Sequence, residues 1–236
     1  SDAPPLVSIC IANYNGMEFI DECIASVLAQ VGDIAVDIIV HDECSADVTD
    51  PAYVGAILGA HKAGKPALNL HCAMHSYRWG NFREPVKPGA DNAGWYEYLG
   101  LQSTGHGPPQ PITITYTDKT HPITQGLEGW QTINEELYNN VQVLTGKAIA
   151  SGNQIVPPKA KKGEKLPPDA KPTEATAVVA WTNEYGPNKT KIFSTTIGHN
   201  TATVSDARYL DLITRGLLWT TGHLDENGKA KDGYGK

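Results

Sequence analysis

Histidine carries most of the chemistry this chain can offer. Of its eight imidazoles, His71, His75, His106, His121 and His199 fall in polar stretches close to apolar runs. Neutral imidazole is the commonest protein ligand for zinc, and a site takes about three such groups converging. His71 and His75 follow the apolar run ALNL, and His199 follows KIFSTTI. If both runs are strands, these side chains leave the sheet at its carboxyl edge, where doubly wound folds place their ligands. His71, His75 and His199 are the candidate metal ligands, with zinc the candidate ion. Together with Glu136, which adds a carboxylate, they are also the candidate catalytic groups. Singly, each imidazole has a plainer role, capping a loop by bonding its backbone, and His121, followed by Pro122, reads as a residue that fixes a turn.

Tyr77-Arg78-Trp79 and Trp95-Tyr96 bring aromatic faces and a guanidinium to a Gly-rich loop. Such a mixture stacks on a sugar and hydrogen-bonds its hydroxyls, or it packs the loop down. Tyr77, Arg78, Trp95 and His106 are the candidate substrate contacts, and a small-molecule carbohydrate is the candidate partner. Cys72 sits in HCAMH, without the small flanking residues of a nucleophile elbow. It reads as a buried or pocket-lining thiol rather than a nucleophile paired with His75 or His199. Glu135 and Glu136 are neighbours; on a strand they face opposite ways and form no acid–base pair.

The chain that must position these groups has 236 residues, 40% hydrophobic and 19% charged, with net charge −7. That length suits one α/β domain with a proper core. An acidic chain with 19 Lys+Arg has no broad cationic face for phosphate backbones, so nucleic acid is not expected. No apolar run approaches the roughly 20 residues of a membrane helix. No charged segment followed by an apolar one opens the chain as in a signal peptide, and a cytoplasmic location is expected. The four cysteines form no CxxC pair and read as reduced thiols.

Residues 6–12 (LVSICIA) have the β-branched, apolar character of a buried parallel strand. Asn15 and Glu18 resemble a capping box, and Phe19, Ile20, Cys23, Ile24, Val27 and Leu28 follow at helical spacing. Strands are expected at 36–41, 67–71, 111–116, 176–181 and 191–197, and helices at 51–62, 95–99 and 206–220. Residues 135–143 suit helix or strand. The Lys/Pro-rich stretch 157–172 reads as a solvated loop or hairpin tip, and 223–236 as a flexible tail. Alternating strands and helices imply a doubly wound, mainly parallel sheet in one domain.

Over residues 36–222 the chain resembles the trehalose-utilisation, or ThuA-like, family. The stretches that carry the likeness are His71-Cys72-Ala73-Met74-His75-Ser76-Tyr77-Arg78, Trp95-Tyr96-Glu97-Tyr98-Leu99-Gly100 and Gly105-His106-Gly107. They continue with His121-Pro122-Ile123-Thr124-Gln125-Gly126-Leu127, Glu135-Glu136-Leu137-Tyr138-Asn139 and Thr195-Thr196-Ile197-Gly198-His199-Asn200. The resemblance implies a three-layer, flavodoxin-like fold related to class I glutamine amidotransferases. It also implies a role in disaccharide or keto-sugar metabolism.

Residues 5–40 resemble something else. Val7-Ser8-Ile9-Cys10-Ile11-Ala12-Asn13-Tyr14-Asn15-Gly16, with Ile24-Ala25-Ser26-Val27-Leu28-Ala29-Gln30, is similar to the first strand and helix of a family 2 glycosyltransferase. The Asp-x-Asp metal motif that such an enzyme requires is absent, so glycosyl transfer is not expected. The two resemblances suggest a chimera, which is expected either to keep a ThuA-like sugar pocket or, alternatively, to be an engineered α/β scaffold with no retained catalytic function. The exposed flank of the Phe19/Ile20/Ile24/Val27 stripe is where homo-oligomers would form.

Overall fold

The computed structural model describes residues 39–41, 44–160, 163 and 165–234. The expected strand at 6–12, the helix that follows it and the glycosyltransferase-like segment up to residue 38 lie outside the described residues. Strand β1 (Ile39–His41) leads through a loop to helix α1 (Pro51–Lys62), then β2 (Ala67–Leu70) and a 3-10 turn (His71–His75). Helix α2 (Gly94–Leu99) and strands β3 (Leu101–Gln102), β4 (Gln110–Tyr116), β5 (Trp130–Glu135), β6 (Gln142–Val143), β7 (Lys147–Val156), β8 (Thr173–Tyr185) and β9 (Thr190–Thr195) follow. A short α3 (Thr201–Val204) and the closing α4 (Ala207–Thr220) complete the order. No helix among the described residues is long and apolar enough to cross a membrane.

Local chemistry sets the helix limits. Asp50 accepts a hydrogen bond from Ala52 N at 2.9 Å and Pro51 occupies the first turn, so α1 starts there. Asp206 accepts from Arg208 N in the same way to start α4. Gly100 ends α2 at φ 79°, and a Cβ there would lie 2.7 Å from the Asn183 side chain and 2.8 Å from Gly146 N. Only glycine satisfies both the left-handed backbone and the close approach.

Seven strands form one sheet in the order β1-β2-β9-β8-β7-β4-β5. β1, β2 and β9 run parallel, and the remaining four pairings are antiparallel. Among the described residues the sheet is therefore mixed rather than mainly parallel. A parallel pairing needs a crossover of a dozen or more residues, whereas β8 and β9 are joined by a four-residue turn, 186–189. The register Val156↔Thr173 makes 157–172 the connection of the β7–β8 hairpin.

Alternate residues of the parallel strands feed two cores, as a two-sided buried sheet requires. Leu68, Leu70 and Phe193 pack with Tyr209, Leu212, Ile213 and Leu217 of α4. Ala67 and Ile192 face the other way, toward Leu58 of α1 and Trp95, Tyr98 and Leu99 of α2. The stretch expected to be a flexible tail turns back on itself. Leu224 bridges Ala230, and Tyr234 stacks on His223 at 3.6 Å between ring centroids.

The thiols expected to be reduced are not all so: Cys44 and Cys72 form a disulfide. Two cysteines 28 residues apart gave no spacing signal, since the crossover through α1 and β2 is what brings them together.

Candidate active site

Strand direction delivers three loops to one place. β2 and β9 are parallel neighbours, so His71, just after β2, and His199, just after β9, leave the same edge. Counting antiparallel steps from β9 through β8, β7 and β4 gives β5 the same direction, so Glu136 also leaves that edge. In a flat sheet four strand spacings would hold β5 roughly 19 Å from β9. Yet Glu135 Oε2 accepts a hydrogen bond from His199 N at 2.9 Å. The sheet must curl, and its curl closes the site.

The result is a carboxylate among imidazoles. Glu136 Oε2 lies 3.5 Å from His71 Nε2 and 3.4 Å from His199 Nδ1, and Oε1 lies 3.5 Å from His106 Nδ1. His71 is buried, whereas the His106 and His199 side chains are 39% and 41% exposed. Burial works to raise the Glu136 pKa. The hydrogen bond from His71 and the charges of His106, His199 and His71 outweigh it and hold the carboxyl below its ordinary value.

His71, Glu136 and His199 can hold a metal ion: one ligand atom from each lies within 4.8 Å of the others. Ligand atoms 2.0–2.1 Å from a tetrahedral ion sit roughly 3.3 Å apart, close to the separations of Glu136 from the two imidazoles. His71 Nδ1 is 3.3 Å from Cys72 Sγ. His71 Nε2 is the atom that faces Glu136; it donates the bond to the carboxylate, and a metal ion held there would take the place of that proton.

His75 is not part of this group. In a 3-10 turn each residue advances about 120°, so a residue four positions on points about 120° away; only in an α-helix would His71 and His75 share a face. His75 instead stacks on the Tyr138 ring at 4.0 Å and 9°, with Nε2 3.0 Å from Ser103 Oγ. Burial first, then the positive charge of Arg78, lower its pKa to about 3.

The proposed sugar contacts divide. His106 reaches the site. Its Nδ1 donates to Gly107 O at 2.8 Å, which leaves the Nε2 lone pair for a ligand. Tyr77 and Trp95 are buried at 4% and 2% exposure and pack edge to face at 4.6 Å. Trp95 Nε1 donates to Ala73 O at 2.9 Å, which braces the histidine turn from behind. Arg78 donates from Nη1 to Thr104 O at 3.0 Å and lies over Phe82, with its buried Nε unpartnered. His121 makes local contacts, accepting from Ile123 N at 3.2 Å. Cys72 is held in the disulfide.

Sequence reasoning missed Tyr138, Ser103 and Asn139. The Tyr138 hydroxyl lies 3.1 Å from His71 Nε2. Asn139 Oδ1 accepts from Thr104 N at 2.8 Å, Gly105 N at 3.1 Å and Ser103 Oγ at 3.2 Å, tying the His106 loop to the Glu136 strand end. The stretch Glu135 to Asn139 was visible as a motif, but nothing in its spacing shows which neighbour braces which.

The ThuA family model, described as trehalose utilisation, matches residues 27–220, which include every residue of this site. A ThuA-like protein from Bacteroides uniformis has a similar fold, with a TM-score of 0.59 at 14% identity over 90% of this chain and 89% of that one. A cytoplasmic protein from Salmonella typhimurium is more distant, with a TM-score of 0.48 at 12% identity over 89% and 86% of the two chains. A cold-adapted β-galactosidase from a Rahnella species is equally distant, at 0.48 and 12%, over 85% of this chain and 27% of that one. No curated protein matches. The match along most of the chain shows that it belongs to the ThuA family.

Proposed function

We propose that the chain is an enzyme of disaccharide or keto-sugar metabolism that works at the pocket of His71, Glu136, His199 and His106. The observation that supports this reading best is the convergence of two imidazoles and a carboxylate at a curled sheet edge, with a third, exposed imidazole on the other carboxylate oxygen. The residues suit zinc, and when bound the ion would polarise a sugar hydroxyl or carbonyl oxygen. His71 is the buried anchor and Glu136 the partly buried one. His106 Nε2, freed by the Gly107 bond, accepts a substrate proton or hydroxyl, and His199 completes the set. The charge of Arg78, which acts on His75, supplies positive potential to the same edge. The kinship with flavodoxin-like and glutamine amidotransferase folds belongs to this reading too, supported by the helices on both faces of the sheet.

Elemental analysis of untagged protein, with melts with and without chelator, tests the metal. About one zinc per chain and a lower Tm in chelator are expected, because an ion bound only by the folded state stabilises it. Zinc-free protein with no shift would remove the ion from the proposal. Calorimetric titration with disaccharides and keto-sugars tests the substrate class; heat lost in Glu136→Gln would support it. No binding to any sugar would favour the other reading, an engineered scaffold without catalytic function.

A further inference from the structure

We infer that Glu135 is a positioning residue: it holds the 198–200 loop so that His199 meets Glu136. This rests on the metal reading of the same site. Glu135 is fully buried, with 0% exposure. Its Oε2 accepts from Gly198 N at 3.5 Å and His199 N at 2.9 Å, and Oε1 accepts from Asn200 N at 3.0 Å. Both carboxylate oxygens are thus spent on three successive backbone amides of the loop that follows β9. A second tie runs beside it, from the Asn200 side-chain amide to Asn134 O. Gln154 Nε2 donates to Glu135 O at 3.0 Å and fixes the residue's own backbone from within the sheet.

The division of labour follows from the end of β5. Glu135 is its last residue and faces inward; Glu136, the next, faces the imidazoles. One carboxylate sets where the loop lies, and its neighbour meets the side chain that the loop presents. Gly198 shows how closely the loop is held, since a Cβ there would lie 3.0 Å from the Tyr209 hydroxyl at a φ of 133°. A glutamine at 135 offers one acceptor oxygen and, in place of the other, an NH2 group with two donors, so at least one of the three amides would face another donor.

Cobalt(II) titration of wild type, Glu135→Gln, His199→Ala and the double variant tests this, read by visible d–d absorption. Ordering partners around a metal ligand typically matter by 10–100-fold in affinity. Glu135→Gln is expected to weaken binding about 10–100-fold and to take on the spectrum of His199→Ala, and the double variant is expected to bind no more weakly than His199→Ala alone. Wild-type affinity and spectrum in Glu135→Gln, or losses that multiply in the double variant, would overturn the assignment. If Glu135→Gln does not fold, Gly198→Ala displaces the loop from its other side and takes its place, with the same two outcomes. Should wild type bind no cobalt, the metal reading fails separately. Amide hydrogen exchange then decides the clamp: faster exchange at residues 198–200 in Glu135→Gln supports it, and unchanged exchange refutes it.

Discussion

At the scale of single residues, the site is built from groups whose charge depends on their neighbours. His75 stays neutral down to about pH 3, since burial and Arg78 oppose its protonation. The sign follows from linkage. Between about pH 6.5 and 3 the unfolded chain binds a proton at this position that the folded chain refuses, so stability falls as pH falls through that window. Glu136 acts in the same direction: its depressed folded pKa contributes stability that is lost as acid protonates it. In chelator, lowering the pH from 7 to 5 is therefore expected to reduce the urea midpoint. His75→Gln, which removes the titrating group, should shrink that loss by about 1–2 kcal/mol. An equal loss in both proteins would show that His75 is not responsible. His71 and His199 were legible as ligand candidates because each follows an apolar strand run. His75 misled because its partnership turns on 3-10 rather than α geometry, which HCAMH does not disclose.

At the scale of elements, fit between α4 and the sheet is tight enough to override helix propensity. Gly216 lies inside α4, where alanine would ordinarily gain about 1 kcal/mol. A Cβ at that position would stand 2.6, 2.8 and 2.9 Å from three atoms of the Phe193 ring, which is itself fully buried. Overpacking of this kind costs about 1–3 kcal/mol; less the propensity gain, Gly216→Ala is expected to lower Tm by up to about 8 °C. A raised Tm would mean that Phe193 yields freely. The elements best read from sequence were those with local signals: α1 with its Asp50 cap and Pro51, α2 with Gly100, and the apolar strands β2 and β9. β5 and β7 went unread. WQTINE and KAIASGNQIV hold Gln, Asn and Ser where a strand pattern wants apolar residues, and Gln154 and Glu135 are buried because they bond to backbone.

At the scale of the whole molecule, curl was the hidden variable. Antiparallel hairpins carry the chain away from β9, and only their curvature returns β5 to meet its loop. Periodicity assigns residues to a face but says nothing of how far a sheet bends, so the union of Glu136 with His199 was suspected by residue type and explained only by topology. The disulfide operates at this scale too. Joining residues 28 apart, it limits the unfolded chain by about 3.5 kcal/mol in the chain-entropy account. A reducing agent should lower the urea midpoint accordingly, and a midpoint indifferent to it would mean that the bond contributes no net constraint.

The bond also makes a ring. It encloses all of α1 and β2 and closes on the residue next to His71. A protease that cuts once inside that ring severs the backbone without parting the fragments: the nicked chain migrates as one species on a denaturing gel until it is reduced, and then as two. Such a cut leaves His71 on the same fragment as Glu136; what the sulfur bond retains is the other piece, the one that carries β1, which stays attached in oxidising surroundings and leaves only where glutathione opens the bridge.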